Sequence, residues 1–378
     1  MRLTDRQIER RDRARQFAAD RIAPLAERID HDQVTPPAVI AAMRTDGYLG
    51  AALPPRWGGG GMDPLSYGLA TEEIGRACSS VRSLMTVHNM AAQAVLTFGD
   101  EDQHERWLPG LGAGERLIAF ALSEPACGSA TDEIATEAVR RRDVYVLNGT
   151  KKWITYGQVA DLFLVFARCD DAPIAVVVDA RSDGLSIDPI GDLLGVRGSM
   201  AAELRFDDVT VAVADQLGPT GSGLTFVANT ALDHGRFSVA WGSTGILQGC
   251  LDACVSYAQH RRQGGRALVD HQLIRRHLAD MLVAHTAARA LCHRSAVLRE
   301  QHDPRAVMET SMAKYFAATA AVRVATDAVH LHGANGCTPD HPVGRYLRDA
   351  TVAAIVEGTQ EIHQLSLAGY ALQKPYLR

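Results

Sequence analysis

The chain has 378 residues, enough for two or three domains and a large core. Hydrophobic residues make up 47% of it but aromatic residues only 6%, which favours closely packed helices built from Ala, Val, Leu and Ile. The net charge of −5 predicts neither a nucleic-acid partner nor a membrane partner, and the charged N-terminus and the seven cysteines without a CxxC pair predict a cytoplasmic location.

The N-terminal third is predicted to be helical. Apolar residues recur there at mixed spacings of three and four up to about residue 115. Asp100 and Gln103 form a capping-box pattern ahead of a helix that extends to Trp107. The glycine-rich segment 54–64 interrupts these helices. No Lys-Ser or Lys-Thr follows its glycines, so we expect a turn there and not a phosphate-binding loop.

The middle of the chain is predicted to form strands. Short β-rich runs occupy 117–122, 144–147, 152–155, 162–167, 174–178 and 203–206. The dipeptide Asn148-Gly149 separates two of these runs and is a strong hairpin signal. We therefore expect a small antiparallel β domain, built as a barrel.

The last third returns to helices, which are predicted over 224–260, 270–299, 304–331 and 359–372. Their many Ala, Gly and Ser residues allow the close backbone approach of a helical bundle. The predicted fold is therefore mainly α with a central β domain. The expected domains are 1–115 (N-terminal helical), 116–222 (middle β) and 223–378 (C-terminal helical bundle).

Several common chemistries have no matching motif in the sequence. GxGxxG and GxxxxGK[ST] are absent, which argues against a nicotinamide Rossmann site and a nucleoside triphosphate loop. HExxH is also absent, no metal site is expected, and the sequence contains no GxSxG of a serine hydrolase.

A glutamate near the C-terminus has the setting of a general base. The segment 345–364 reads RYLRDATVAAIVEGTQEIHQ and places Glu357 before Gly358, after an apolar run. Such a setting would desolvate the carboxyl and raise its pKa towards neutrality. Arg348 and Asp349 can pair locally. From this segment alone, a solvated or helix N-terminal acid remains the alternative.

Other segments carry polar and aromatic groups suited to a ligand. Residues 120–129 read FALSEPACGS, with hydroxyls beside Pro and Gly. Residues 148–155 read NGTKKWIT and offer the Trp153 indole and the Thr155 hydroxyl on one predicted strand face. The segments 260–272 (HRRQGGRALVDHQ) and 330–336 (HLHGANG) follow.

The order and spacing of these five segments resemble the acyl-CoA dehydrogenase family from about residue 5 to 372. The resemblance implies an N-terminal helical domain, a middle β domain and a C-terminal four-helix domain. It also implies one FAD per subunit, in a homotetramer or homodimer. Within the family, the chain looks closest to dehydrogenases of acyl groups on carrier proteins in secondary-metabolite and polyketide biosynthesis.

The resemblance also implies roles for individual residues. Those expected around the flavin ring are Phe120, Leu122, Ser123, Trp153 and Thr155, with Ser129 shared between flavin and the pantetheine arm. Arg261 and Gln272 are expected to reach the FAD of a neighbouring subunit. His330, Leu331, Gly333 and Ala334 are expected along the adenosine half, with Thr359 and Glu361 just after the base. Ser129, Arg236 and Gly358 are expected to contact the acyl thioester.

The family places its base in one of two positions, and here only one of them carries a carboxylate. The position ahead of Arg236 is Gly235, so Glu357 inherits the role. The implied reaction is removal of the α proton of an acyl thioester by Glu357 while the β hydrogen leaves as hydride to flavin N5. Gly264, His330, Ala334 and Cys337 depart from the common family pattern, which weakens individual FAD contacts.

The substrate handle and the electron acceptor stay open at this stage. The handle is CoA or an acyl carrier protein, and we expect a short or polar acyl chain. The acceptor is an electron-transfer flavoprotein or O2. Two alternatives to the dehydrogenase are a flavin-dependent oxidase or monooxygenase on the same scaffold and a non-catalytic subunit that binds a carrier protein.

Overall fold

A computed structural model describes residues 3–373 and begins with a helical N-terminal domain. Its α-helices are α1 Asp5–Phe17, α2 Ala26–Asp32, α3 Pro37–Thr45, α4 Pro64–Ala77, α5 Ser79–Phe98 and α6 Glu101–Gly112. The predicted capping box at α6 is confirmed, because Gln103 N–H donates to Asp100 Oδ1 at 2.8 Å and Asp100 N–H donates to Gln103 Oε1 at 3.0 Å. Nearly every residue of α5 is buried, so this helix forms the centre of the domain.

The middle domain is a curled sheet. Its strands are β1 Ile118–Ala121, β2 Glu137–Arg141, β3 Val144–Ile154, β4 Leu162–Cys169, β5 Ala172–Asp179, β6 Leu185–Pro189 and β7 Ala202–Ala212. They are ordered β1-β4-β2-β3-β7-β6, and β5 also pairs with β4. The sequence predicted an antiparallel sheet, but the observed sheet is mixed. Strands β1 and β2 both pair with β4 in the parallel sense.

The predicted hairpin at Asn148-Gly149 is wrong, because β3 runs through both residues as one strand. The register against β7 shifts between Leu147 and Gly149, which marks a bulge. A Cβ on Gly149 would lie 2.7 Å from Thr136 Cα, so a close backbone approach explains the glycine. The chain reverses instead between β2 and β3, where Arg142 has φ +56°.

The C-terminal domain is a bundle of long helices. They are α7 Asn229–His260, α8 Gln272–Glu300, α9 Ala306–His332, α10 Val343–Ile355 and α11 Gln360–Leu372, with a short hairpin of β8 Arg262–Gln263 and β9 Arg266–Ala267 after α7. A π-helical turn, Gly223–Ala228, leads into α7. Across residues 3–373, no helix is both long and apolar enough to span a bilayer.

Helix α7 packs closely on the N-terminal domain, and this contact positions the candidate site. A Cβ on Gly68 would lie 2.3 Å from the Trp241 ring, and one on Gly75 would lie 3.0 Å from Gly242 Cα. Glycines on both helices therefore permit an approach that larger side chains would prevent. Helix α5 also contacts α7, since Thr86 Oγ1 lies 2.6 Å from Ser238 Oγ. The link between α10 and α11 meets α7 at Gly235.

Candidate active site

Glu357 lies in the short link between α10 and α11, at residues 356–359. It adopts the left-handed conformation, with φ +58°, and Gly358 follows at φ +97°. The left-handed region is unfavourable for a non-glycine residue and is found where surrounding structure enforces it, often at functional sites. Gly358 therefore allows the turn, and Glu357 itself also adopts part of the reversed backbone conformation.

Two cations from other helices hold this turn by its carbonyl groups. Arg236 Nε on α7 donates to Glu357 O at 3.1 Å. Lys314 Nζ on α9 donates to Gly358 O at 2.6 Å and to Ala354 O at 3.5 Å. Arg236, which the sequence assigned to the substrate, therefore contacts the backbone of the base. Lys314 therefore supplies a hydrogen-bond donor at the C-terminal end of α10, where backbone carbonyl groups lack helical partners.

The carboxyl group of Glu357 is suited to proton transfer near neutral pH. Its Oε2 is out of contact with solvent and has no hydrogen-bond partner among the described residues. Burial raises the pKa of Glu357 to about 7, although the charges of Arg236, Lys314 and Arg82 act to lower it. This environment does not fit the alternative of a solvated acid, and it matches what a general base requires.

The two positions considered for the base meet in space. A Cβ on Gly235 would lie 2.5 Å from both Cδ and Oε2 of Glu357. The missing side chain at Gly235 therefore leaves the volume that the Glu357 carboxyl occupies. Any larger residue at 235 would displace that carboxyl.

The expected flavin-ring residues gather at neighbouring ends of β1 and β3. Lys152 N–H donates to Ser123 O at 2.9 Å, and Lys151 Nζ donates to Leu122 O at 3.0 Å. These bonds bring 120–123 beside Trp153, which has φ +64° and is 53% exposed. The expectation of one shared strand face for Trp153 and Thr155 is wrong, because the register is irregular after Lys151 and Thr155 lies beyond the strand end.

These residues have free groups that fit a flavin. In the described part of the chain, no hydrogen bond engages the hydroxyls of Ser123, Ser129 or Thr155. The Trp153 indole offers a flat exposed face. A cleft of about 530 Å³ at Leu122 is also lined by Leu224, Ala228 and Leu232, among others. Hydroxyl groups and an aromatic face can bind a polar, planar ring system.

The remaining cofactor candidates form a second group at the far end of the bundle. Arg261 and Gln272 are exposed at the end of α7 and the start of α8, and His330, Leu331, Gly333 and Ala334 lie at the end of α9. Tyr257 joins these ends, since its hydroxyl donates to His332 O at 3.3 Å. Within residues 3–373, no hydrogen bond or ion pair links this group to the β-domain group. Thr359 and Glu361 lie at the start of α11, beside Glu357.

Sequence reasoning missed two buried cations close to Glu357, Lys314 and Arg82, which are 1% and 4% exposed. The available signal was a single cation within an otherwise uncharged helical stretch, as in 313–321 (AKYFAATAA) and 79–87 (SSVRSLMTV). Charged residues are rarely buried without a specific partner. Such isolated cations are therefore worth testing as site residues.

Comparison with known proteins agrees with this architecture over the whole chain. The acyl-CoA dehydrogenase N-terminal, middle and C-terminal domain families match residues 4–115, 119–209 and 221–372. An acyl-CoA dehydrogenase of Bacillus subtilis (strain 168) is 38% identical over 98% of this chain and 99% of its own length.

Two solved structures have the same fold. Butyryl-CoA dehydrogenase from Megasphaera elsdenii has a TM-score of 0.95 at 33% identity, covering 98% of this chain and 99% of its own. FkbI, for biosynthesis of the methoxymalonyl extender unit of the polyketide Fk520, has a TM-score of 0.89 at 33% identity, covering 97% and 100%. The chain belongs to the acyl-CoA dehydrogenase family, whose members are FAD-dependent oxidoreductases acting on CH–CH groups.

Proposed function

We propose that this protein catalyses α,β-dehydrogenation of a short acyl thioester, with Glu357 as the base that removes the α proton. The observation that carries the proposal is the carboxyl of Glu357. It lies over Gly235, its Oε2 is buried without a hydrogen-bond partner within residues 3–373, and burial raises its pKa to about 7. A base with that pKa is ionised in a large fraction of molecules at neutral pH and still binds a proton well.

The side chains of this protein supply binding, orientation and proton transfer. Arg236 and Lys314 fix the turn, so the Glu357 carboxyl is held over Gly235 before substrate binds. Glu357 Oε2 then receives the proton from the thioester Cα. Residues 120–129, Trp153 and Thr155 would hold FAD, which would supply the acceptor for the β hydrogen as hydride. We assign the cleft beside Leu122 and Leu232 to the thioester arm.

The test of the base is the variant Glu357→Gln. We expect it to retain FAD but to lose anaerobic bleaching of the flavin by substrate, by roughly a thousandfold or more. Stopped-flow absorbance measures the bleaching rate, and the flavin content of the purified variant is the control. Bleaching at the wild-type rate would show that another group takes the proton.

The substrate handle and the pathway are further parts of the proposal. The role of FkbI in making a polyketide extender unit supports an acyl-carrier-protein dehydrogenase of secondary metabolism. The butyryl-CoA dehydrogenase structure supports a CoA thioester of a short chain. Anaerobic bleaching by matched acyl-CoA and acyl-carrier-protein thioesters separates the two, because the preferred handle will give the higher kcat/KM.

We further propose a homotetramer or homodimer, since Arg261 and Gln272 are exposed away from the β-domain group and are expected to reach a neighbour's FAD. The proposed acceptor is an electron-transfer flavoprotein, with O2 as the other outcome of an oxidation assay. Rapid reoxidation of the reduced protein by O2 would favour the oxidase alternative. A purified protein that neither contains nor takes up flavin would favour the non-catalytic alternative.

A further inference from the structure

The cleft assigned to the thioester arm changes from apolar to charged along its length. Leu122 and Ala228 line it and are 5% and 2% exposed, whereas Asp132 and Thr225 line it and are exposed to solvent. Arg168 also lines the cleft, and it is the one basic residue among the lining residues that the structure describes. A ligand that fills the cleft therefore meets both an apolar wall and a cation.

The position of Arg168 follows from the alternation of side chains along β4. Leu164 and Phe166 belong to the core cluster that contains Leu122, and Arg168 is the next residue on that face of the strand. Ala121 is level with Val165, so Arg168 lies three residues, or about 10 Å, further along the sheet than Ala121. The cation is therefore at the outer end of the cleft, past its apolar wall.

The guanidinium of Arg168 is held in place but has no ion pair. Its Nη1 donates to Asp132 O at 2.9 Å, and its Nη2 donates to Asp171 O at 3.1 Å. No carboxylate oxygen within residues 3–373 comes within 4.0 Å of its nitrogens. A guanidinium has five N–H groups, so donors remain for a ligand. An arginine fixed in this way is suited to bind a phosphate group.

The two loops that hold Arg168 are acidic. Four exposed carboxylates belong to them, those of Asp132, Glu133, Asp170 and Asp171. Even with Arg140, which interacts with Cys169 from β2, the acids outnumber the cations here by four to two. One phosphate can bond Arg168 directly, whereas each further negative charge placed outside it meets mainly carboxylates. The outer end of the cleft therefore favours a ligand with a single phosphate.

We propose that Arg168 binds the one phosphate at the end of a pantetheine arm, and that the surrounding acids disfavour a nucleotide beyond it. The preferred thioester is then carried by a protein through a phosphodiester, not by CoA. This inference rests on the function proposed above and specifies its handle. Thr225 in the cleft and Gly235 beneath the Glu357 carboxyl are roughly 15 Å apart by helical rise. A pantetheine arm extends over a distance of this order from its sulfur to its phosphate.

The first test presents one butyryl group to the wild-type protein on three handles. They are pantetheine, which has no phosphate, its methyl phosphodiester, which has one negative charge, and CoA, which adds a second phosphate and a nucleotide with a third. We expect kcat/KM for anaerobic flavin bleaching to be roughly tenfold higher for the methyl phosphodiester than for pantetheine, because the phosphate gains a charge-assisted bond. The CoA value should be lower than that of the methyl phosphodiester.

Salt separates the attraction from the repulsion. Raising NaCl from about 50 to about 500 mM should increase kcat/KM for butyryl-CoA relative to the methyl phosphodiester, because ions screen the repulsion between the nucleotide and the acids. Asp132→Asn should have the same effect at low salt, since it removes a carboxylate but keeps the backbone carbonyl that holds Arg168. A fall in the relative CoA value with salt would contradict the role given to the acids.

The second test uses variants of Arg168. Arg168→Gln should reduce the ratio of the methyl phosphodiester to the pantetheine value from roughly ten to about one. Arg168→Lys should restore part of the ratio, because it keeps the charge but loses the fork. Arg181→Gln is the matched control. The Arg181 side chain is 86% exposed and pairs with Asp179 at 3.1 Å, so its loss should leave the ratio unchanged.

A binding measurement keeps this inference separate from the proposed function. The S-propyl thioethers of the three handles lack the thioester carbonyl and are not oxidised. Their dissociation constants, measured by calorimetry with the flavin-loaded protein, should be lowest for the methyl phosphodiester. Tightest binding of the CoA thioether, or an unchanged ratio in a folded Arg168→Gln protein, would overturn the inference and leave the dehydrogenase intact. Failure of all three butyryl thioesters to bleach bound flavin would overturn the proposed function, while the order of the dissociation constants would still decide the handle.

Discussion

The β domain and the centre of the helical domains each bury a lysine near a glutamate, but in different arrangements. In the β domain, Lys151 Nζ lies 2.7 Å from Glu124 Oε1, which also accepts from Thr136 Oγ1 at 2.6 Å. In the helical centre, Lys314 Nζ donates to backbone carbonyls, and it does not come within 4.0 Å of a carboxylate oxygen of Glu357. The same two residue types are therefore paired in one region and separated in the other.

The separation decides what each carboxyl can do. Burial alone would raise the pKa of Glu124, but the hydrogen bond and charge of Lys151 hold it below its ordinary value. Burial raises the pKa of Glu357 to about 7, because no direct partner stabilises its ionised form. Burial lowers the pKa of both lysines to about 8, so the two carboxyls do not differ because one lysine is more ionised than the other. Direct contact makes Glu124 a fixed charge, and its absence leaves Glu357 able to titrate.

The largest expected effect comes from breaking the contact pair. Lys151→Met leaves Glu124 buried without its cation, and removal of one partner of a buried pair costs about 3–5 kcal/mol. We expect the free energy of unfolding of the FAD-saturated protein to fall by that amount at neutral pH, as measured by urea denaturation. Lys152→Met is the matched control. Lys152 pairs with Glu203 at 3.1 Å with its side chain 30% exposed, so its loss should cost under about 1 kcal/mol. Equal losses in the two variants would contradict the comparison.

The second prediction concerns how the free energy of unfolding varies with pH, and here the substitution should stabilise the protein. The folded state raises the pKa of Glu357 from 4.5 to about 7, so its stabilising contribution is complete below pH 4.5 and is lost as the pH rises through about 7. Gln resembles the protonated form. At about pH 8, the free energy of unfolding from urea denaturation should therefore be about 2–3 kcal/mol higher for Glu357→Gln than for wild type. At about pH 5, this free energy should differ little between the two proteins.

Glu124→Gln is the control for this second prediction. The depressed pKa of Glu124 means that its contribution is present throughout this pH range and is lost only in acid. Glu124→Gln should therefore destabilise the protein at both pH values. If Glu357→Gln instead destabilises the protein at pH 8, the carboxyl of Glu357 has a stabilising partner in the folded state.

The sequence predicted the order of the elements well, because helix and strand periods and caps depend on residues a few positions apart. It failed where a distant residue decides the local structure. Gly149 follows Asn148 as in a hairpin, yet the backbone of Thr136 from the neighbouring strand makes this position a bulge. Arg348 and Asp349 were expected to pair locally, but Arg348 Nη2 lies 2.5 Å from Asp30 Oδ2 and Asp349 accepts from Val196 N–H at 2.7 Å.

The candidate site shows the same division. Glu357 was predictable because its turn and its apolar flank are adjacent in sequence. The side chains that set its chemistry lie on α5, α7 and α9. Each of these residues is 43 or more positions from Glu357 in sequence, so spacing alone does not identify Lys314 or Arg82. Their partners also include backbone carbonyls and hydroxyls, which carry no distinctive sequence pattern.

The smallest expected effect sharpens the role of Lys314. Its positive charge lowers the pKa of Glu357, so Lys314→Met should raise that pKa further above about 7. Because the base acts as a carboxylate, the rising limb of kcat/KM against pH should move to higher pH. Below pH 7 we expect a loss of about three- to tenfold that narrows in alkaline solution, since a one-unit shift is a tenfold effect. Lys314→Arg retains the charge and should leave the limb in place. A loss that is equal at every pH would mean that Lys314 only holds the turn through Gly358 O and does not set the basicity of Glu357.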